Sequence, residues 1–150
     1  MAGKYLCVNL HLVWSTKNRR RLIDTEWRAR LHSYIGGIAR SKNAMLKAAN
    51  SQPDHIHLYS SLPSTITIGD FVNALKANST RWIRQNFPNR KWLSWQEGYA
   101  AFSISKSQEK ALIEYIRDQD QHHQETSFEE ELLELLGTHG IEYDPRYLFD

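Results

Sequence analysis

Between Leu6 and Trp14 every second residue is apolar: Leu6, Val8, Leu10, Leu12 and Trp14 share one side, and Asn9 and His11 fall on the other. A period of two over this length predicts a strand with one buried face. The basic stretch STKNRRRLIDTEW follows and leads into a helix, with Asp24 or Thr25 as its expected cap. Trp27, Leu31, Tyr34, Ile35 and Ile38 then recur at helical spacing. A second strand is predicted over residues 44–49, with a turn near 50–53. A third runs from His55 to about Leu62, where Pro63 closes it. Thr67 and Asp70 have capping-box spacing and open a helix carrying Phe71, Leu75, Trp82 and Ile83, which stops before Pro88. EGYAAFSIS gives a fourth strand, and a helix from about Ser107 carries EYIRDQDQHH. Ser127 and Glu130 head a last, acidic helix with Leu132, Leu133, Leu135 and Leu136, stopped by Gly137.

Strand, helix, strand, strand, helix, strand is the split βαβ order. It predicts an α+β, ferredoxin-like or RRM-like βαββαβ fold: an antiparallel sheet with helices on one face, plus C-terminal helices. The other face is expected to stay open to solvent or ligand. The third strand reads QPDHIHLY. Alternate side chains of a strand share a face, so His55 and His57 emerge together, with Cβ atoms about 7 Å apart, while Ile56 and Leu58 face the helices. Such a pair can converge on one metal ion or simply decorate a solvated face.

A metal needs a third ligand, and chemistry needs a nucleophile or an activated water. The helix after the fourth strand offers Tyr115 and Gln119, four residues apart and so on one helix face. Ile113 and Ile116 form the neighbouring apolar stripe that would anchor that helix.

Length and composition are those of one soluble globular domain: 150 residues, 41% apolar and 24% charged. No segment has the length of a membrane span, and the N-terminus lacks a signal-peptide layout. The single Cys7 excludes an internal disulfide framework and fits a reducing cytoplasm. The net charge of +2 hides an asymmetry: residues 1–110 hold 17 Lys/Arg against 6 Asp/Glu, and residues 111–150 hold 2 against 11. A basic body attracts a polyanion, most commonly nucleic acid. Residues from about 127 to 150 form an acidic extension, expected to dock on a partner subunit or on the basic face as a competitor of DNA, with dimer packing preferred.

Together these features resemble the single-tyrosine HUH transposases of small insertion sequences and the REP-associated tyrosine transposases. The likeness rests on HLVWSTKNRR, PDHIHLYSSLP, LKANSTRWIR, WQEGYAAFSIS, YIRDQDQHH and GIEYDPRYL, and runs nearly end to end. It implies that His55 and His57 are metal ligands, Gln119 the third ligand and Tyr115 the nucleophile. It further implies Mg²⁺ or Mn²⁺ as cofactor, and single-stranded DNA beside hairpins as substrate. Cleavage would pass through a 5′-phosphotyrosine intermediate, in a homodimer whose tyrosine helix can complete the partner's site. Neutral ligands would leave the full charge of such a cation to the phosphate, and an amide oxygen suits Mg²⁺ or Mn²⁺ better than zinc.

Candidate DNA contacts are the cluster Lys17, Arg19, Arg20 and Arg21, and Lys76, Ser79, Thr80, Arg81 and Arg84 on the middle helix. Trp92 and Trp95, beside Arg90 and Lys91, offer stacking surfaces for unpaired bases. His11 is expected to make a structural hydrogen bond, and His122 and His123 are weaker candidates for extra ligands. Two other readings use the same residues: a metal-dependent nuclease acting through water, and a domesticated hairpin-binding protein without transposition.

Overall fold

β1 (Asn9–Ser15) is buried at every position, on both of its faces. Its period-two pattern covers only one of them. Leu10, Leu12 and Trp14 enter the main core, while Val13 belongs to a second cluster on the opposite side. The computed structural model describes residues 3–122 and 126–150, and of His122 the backbone alone.

The other strands and α-helices, in chain order, are α1 (Arg28–Ser41), β2 (Leu46–Gln52), β3 (His55–Ser61), α2 (Ile68–Asn86) and β4 (Ala100–Ser103). After them come α3 (Glu109–Arg117), α4 (Gln119–His122) and α5 (Phe128–Thr138). The four strands form one antiparallel sheet in the order β2-β3-β1-β4. This is the expected βαββαβ frame. α1 and α2 pack on the face bearing Leu12, Trp14, Ile56 and Leu58, through Leu31, Ile35, Phe71, Val72, Leu75 and Ile83. α2 starts as its sequence predicts, with Thr67 Oγ1 accepting from the Asp70 backbone N–H at 3.1 Å.

The face expected to be open is covered. α3 lies over β2 and β3 through Ile116, Ile113 and Leu112, against Tyr59 and Ala48. α5 lies over β1 and β4, with Phe128, Leu132 and Leu136 against Val13 and Phe102. Leu132 and Leu136, with Leu135 beside them, thus find their apolar partner on their own sheet, while Leu133 stays exposed. The reason lies in Val13 and Phe102, which present apolar surface on the histidine face that water would otherwise cover.

Other boundaries shift locally. Asp24 does not cap α1, because its two carboxylate oxygens are taken by the Trp27 indole N–H at 2.9 Å and the Arg90 guanidinium at 2.8 Å. β2 runs on to Gln52, leaving only Pro53 and Asp54 as the turn into β3. The tyrosine helix is two pieces, broken at Asp118.

Ile56, between the two histidines, is fully buried on the core side. Ile56→Ala is expected to destabilise the protein by about 2–5 kcal/mol through lost transfer energy and the cavity left behind. The midpoint of a urea unfolding curve reads this directly.

Candidate active site

β3 sets the two imidazoles on one face, and the register with β1 places His57 opposite Val13 and His55 opposite Ser15. Each ring is then held by its Nδ1. His55 Nδ1 donates to Asp54 Oδ1 at 2.7 Å, and His57 Nδ1 shares a hydrogen bond with His11 Nε2 at 2.8 Å. Fixing one ring nitrogen leaves the other aimed, which is how metal-binding histidines are usually oriented. Both Nε2 atoms turn toward the same carboxylate: Glu131 Oε1 lies 2.9 Å from His57 Nε2 and 3.4 Å from His55 Nε2. Ligand atoms of His55, His57 and Glu131 all lie within 4.8 Å of one another, a group able to hold a divalent cation.

The other oxygen of Glu131 accepts the Tyr115 hydroxyl in a short hydrogen bond, and the Gln119 amide N–H at 3.1 Å. Glu131 is therefore the meeting point of both imidazoles, the phenol and the amide. A buried carboxylate is tolerable only with such a set of donors. His55, His57, Gln119 and Glu131 are each no more than 1% exposed. Among the described residues, Gln119 Oε1 is buried and has no hydrogen-bond partner. An oxygen with free lone pairs is able to coordinate a cation.

Tyr115 stands over the histidines of its own chain, its ring centroid 5.8 Å from that of His57 and 6.3 Å from that of His11. Its helix is fastened to β2. The Asn50 side-chain N–H₂ donates to the carbonyls of Ile116 and Arg117, at 2.9 and 3.3 Å, where α3 ends and its carbonyls have no intrahelical partner. Just beyond, the Asp120 carboxylate receives both Arg28 nitrogens, at 2.9 and 2.6 Å, and the Gln52 amide at 2.7 Å. These contacts hold Tyr115 and Gln119 on either side of the break at Asp118.

Burial raises the Tyr115 phenol above its ordinary value, and the charge of Glu131 raises it further. Burial pulls His55 down, but hydrogen bonds from Asp54 and Glu131 outweigh it and leave His55 above the usual histidine range. His11 is held well below that range by burial and by neighbouring His57.

The expected DNA contacts divide. Lys17, Arg20 and Arg21 are exposed, and their loop joins the His55 end of the sheet: Thr16 N–H donates to the Asp54 carbonyl and Leu22 N–H to that of Pro53, both at 2.9 Å. Within it Asn18 and Arg19 adopt left-handed φ values of 58° and 55°. Arg19 pairs with Glu129, and its guanidinium lies 4.5 Å from the centroid of the Phe149 ring. Trp92 is 76% exposed, with the Lys91 ammonium over its ring. Arg81 is exposed, and Arg84 is tied by its guanidinium to the Leu93 carbonyl and the Ser94 hydroxyl.

Ser79 and Trp95 are instead packing residues. Both are buried, and the Trp95 indole N–H donates to Ser79 Oγ at 3.0 Å, which satisfies the ring's polar edge inside the core. Lys76 is half-buried and its ammonium holds the carbonyls of Gln96, Glu97 and Gly98, at 2.8, 3.1 and 2.7 Å. Burial brings its pKa down to about 8. The three carbonyls fix the loop before β4, so the ammonium serves the fold. The side chain of His122 and all of His123 lie outside the described residues.

Two contributors were not foreseen. Asp54 was visible as the residue immediately before the first histidine. Glu131 carried no local signal, being one of 11 acidic residues in the last 40.

The family model described as "Transposase IS200 like" matches residues 4–119, a stretch that includes the sheet and Gln119 and ends before α5. The ISDra2 transposase TnpA of Deinococcus radiodurans is 29% identical over 114 residues, covering 73% of this chain and 81% of that protein. The transposase for insertion sequence element IS200 of Salmonella typhimurium is 26% identical over 114 residues, covering 73% and 74%. Among solved structures, the crystal structure of a candidate transposase from Deinococcus radiodurans R1 superposes with a TM-score of 0.64 at 28% identity. It covers 79% of this chain and 97% of that one. A REP-associated tyrosine transposase bound to a REP hairpin shares the fold, with a TM-score of 0.60 at 18% identity, over 82% and 74% of the two chains.

Proposed function

The chain belongs to the IS200-like transposase family, and from that membership we propose that it cuts and rejoins single-stranded DNA beside hairpins through a covalent tyrosine link. One observation carries the proposal: Tyr115 Oη and the Nε2 atoms of His55 and His57 all reach one carboxylate, Glu131, within a single chain, the phenol at one oxygen and the imidazoles at the other.

His55, His57 and Gln119 Oε1 would hold a divalent cation, Mg²⁺ or Mn²⁺, with Glu131 as a further oxygen donor in the arrangement described. When bound, that ion supplies positive charge to the non-bridging oxygens of a phosphodiester. The chain's own part is positional. Asp54 and His11 hold the two imidazoles, and Asn50, Arg28 and Gln52 hold the segment that carries Tyr115 and Gln119. Tyr115 Oη attacks phosphorus, the bond from phosphorus to the deoxyribose 3′ oxygen breaks, and that oxygen ends as a free hydroxyl carrying the proton the phenol loses. The phosphodiester energy is kept in the 5′-phosphotyrosine, so rejoining needs no ATP.

Lys17, Arg20, Arg21 and Arg81 are the proposed phosphate contacts, and Trp92 the stacking surface for an unpaired base. The whole of residues 1–150 acts as one transposase domain, with an acidic extension from about 127. The proposed assembly is a homodimer in which each tyrosine serves its own subunit. Among the described residues no helix is long and apolar enough to cross a membrane, and the proposed place of action is the cytoplasm.

The test is one incubation of the protein with labelled single-stranded oligonucleotides carrying hairpins, in Mg²⁺ or Mn²⁺. The expected outcome is a protein–DNA adduct that survives a denaturing gel. Cleaved DNA with no adduct means that water is the nucleophile.

A further inference from the structure

We propose that His11 is a positioning residue of the cation site, setting how strong a donor His57 is and so the balance between zinc and the harder Mg²⁺ and Mn²⁺. The inference deepens the reading above and rests on its cation site.

The two imidazoles are backed by different chemistry. His55 Nδ1 faces a carboxylate, Asp54 Oδ1, at 2.7 Å. His57 Nδ1 faces another imidazole, His11 Nε2, at 2.8 Å. A carboxylate behind a ligating histidine raises the basicity of the ring, as in many zinc sites. A neutral imidazole accepts the same hydrogen bond without bringing a charge.

The sheet register builds this arrangement. Val13 lies opposite His57 and His11 opposite Tyr59, so His11 and His57 are diagonal neighbours on one face. Long and ring side chains meet across such a diagonal, and these two have centroids 5.1 Å apart. β4 sets Phe102 opposite His11, with ring centroids 5.8 Å apart, and the Tyr115 ring lies 6.3 Å away. His11 is 1% exposed, so bulk water does not compete for the bond.

Ligation through Nε2 then fixes where the protons sit. A cation takes the lone pair of His57 Nε2, so Nδ1 carries the proton of that ring and donates it. His11 Nε2 accepts, and the His11 proton sits on Nδ1. Sites of nitrogen and oxygen donors bind zinc more tightly than manganese, and imidazole widens that gap while oxygen donors suit the hard ions. Gln119 and Glu131 supply oxygens. Backing His57 with a neutral group, where His55 has a carboxylate, holds down the advantage of zinc.

The experiment measures Mn²⁺ and Zn²⁺ affinity by calorimetry for the full chain and for His11→Gln, His11→Leu and His11→Glu. Glutamine presents a neutral acceptor oxygen at similar reach and should keep the parental ratio of zinc to manganese affinity. Leucine removes the acceptor; Mn²⁺ affinity should fall roughly tenfold or more, and Zn²⁺ affinity further. Glutamate should raise the zinc-to-manganese ratio roughly tenfold. Its added charge strengthens both ions, so the ratio is the readout. Should a buried carboxylate near Glu131 prevent folding, the other two variants decide, together with nitrogen-15 NMR of the wild-type histidine rings in Mg²⁺. Those spectra should show His11 and His57 each protonated on Nδ1. Three results would overturn the inference: parental Mn²⁺ affinity in His11→Leu, a ratio that does not rise in a folded His11→Glu, or a His11 proton on Nε2. Binding of both metals that ignores residue 11 removes this inference alone, whereas a wild type that binds neither metal removes the cation site as well.

Discussion

Tyr115→Phe is expected to lower DNA cleavage by at least about 10⁴-fold, the scale of losing a covalent nucleophile. The covalent protein–DNA adduct should disappear with it. Removing one hydroxyl leaves the ring between His57 and His11 in place, so the fold and the affinity for single-stranded DNA should persist. Denaturing gels read the adduct, and fluorescence anisotropy with a labelled hairpin reads the binding. Cleavage by the phenylalanine variant at the parental rate would remove the covalent mechanism.

His57→Ala should be the second severe loss. It deletes an imidazole that is fully buried and lies between His11 and Glu131. Metal affinity should fall more than about 100-fold, beyond the usual cost of altering only a partner of a ligand, and metal-dependent cleavage should fall with it. Stability should drop by about 1–3 kcal/mol, because His11 and Glu131 each lose a hydrogen-bond partner away from water. Metal titration by calorimetry and a thermal unfolding curve separate the two effects. A variant that still cleaves normally would mean that the cation is held elsewhere.

Much of the frame was legible because its signals are local. Alternation over residues 6–14 and 55–58, and capping at Thr67 and Ser127, depend on near neighbours along the chain, and the strand order followed from them. The pairing of His55 with His57 is of this kind too, since a strand's period of two puts them on one face whatever surrounds them. The spacing of Tyr115 and Gln119 survived the break at Asp118, because Asn50, Arg28 and Gln52 hold both flanking segments.

Where outcome depended on packing partners far along the chain, the sequence was silent or misleading. Trp92 and Trp95 sit three apart in KWLSW and look alike as stacking surfaces. Trp95 found Ser79 and Trp14 and went inside, whereas Trp92 stayed out. Lys76 has the composition of a DNA contact, yet three backbone carbonyls surround it. The acidic helix was expected on a partner subunit or on the basic face, with dimer packing preferred, and its Leu132 and Leu136 cover Val13 and Phe102 of the same chain.

By itself the sequence determined the βαββαβ order, the face shared by His55 and His57, and the separation of a basic body from an acidic end. Each depends on side-chain periodicity or on charge count, which need no knowledge of three dimensions. Only the tertiary structure decided that Glu131, 74 positions beyond His57, ends between that imidazole and Tyr115. Contacts of that range are selected by which apolar faces can cover one another, and no spacing rule along the chain encodes them.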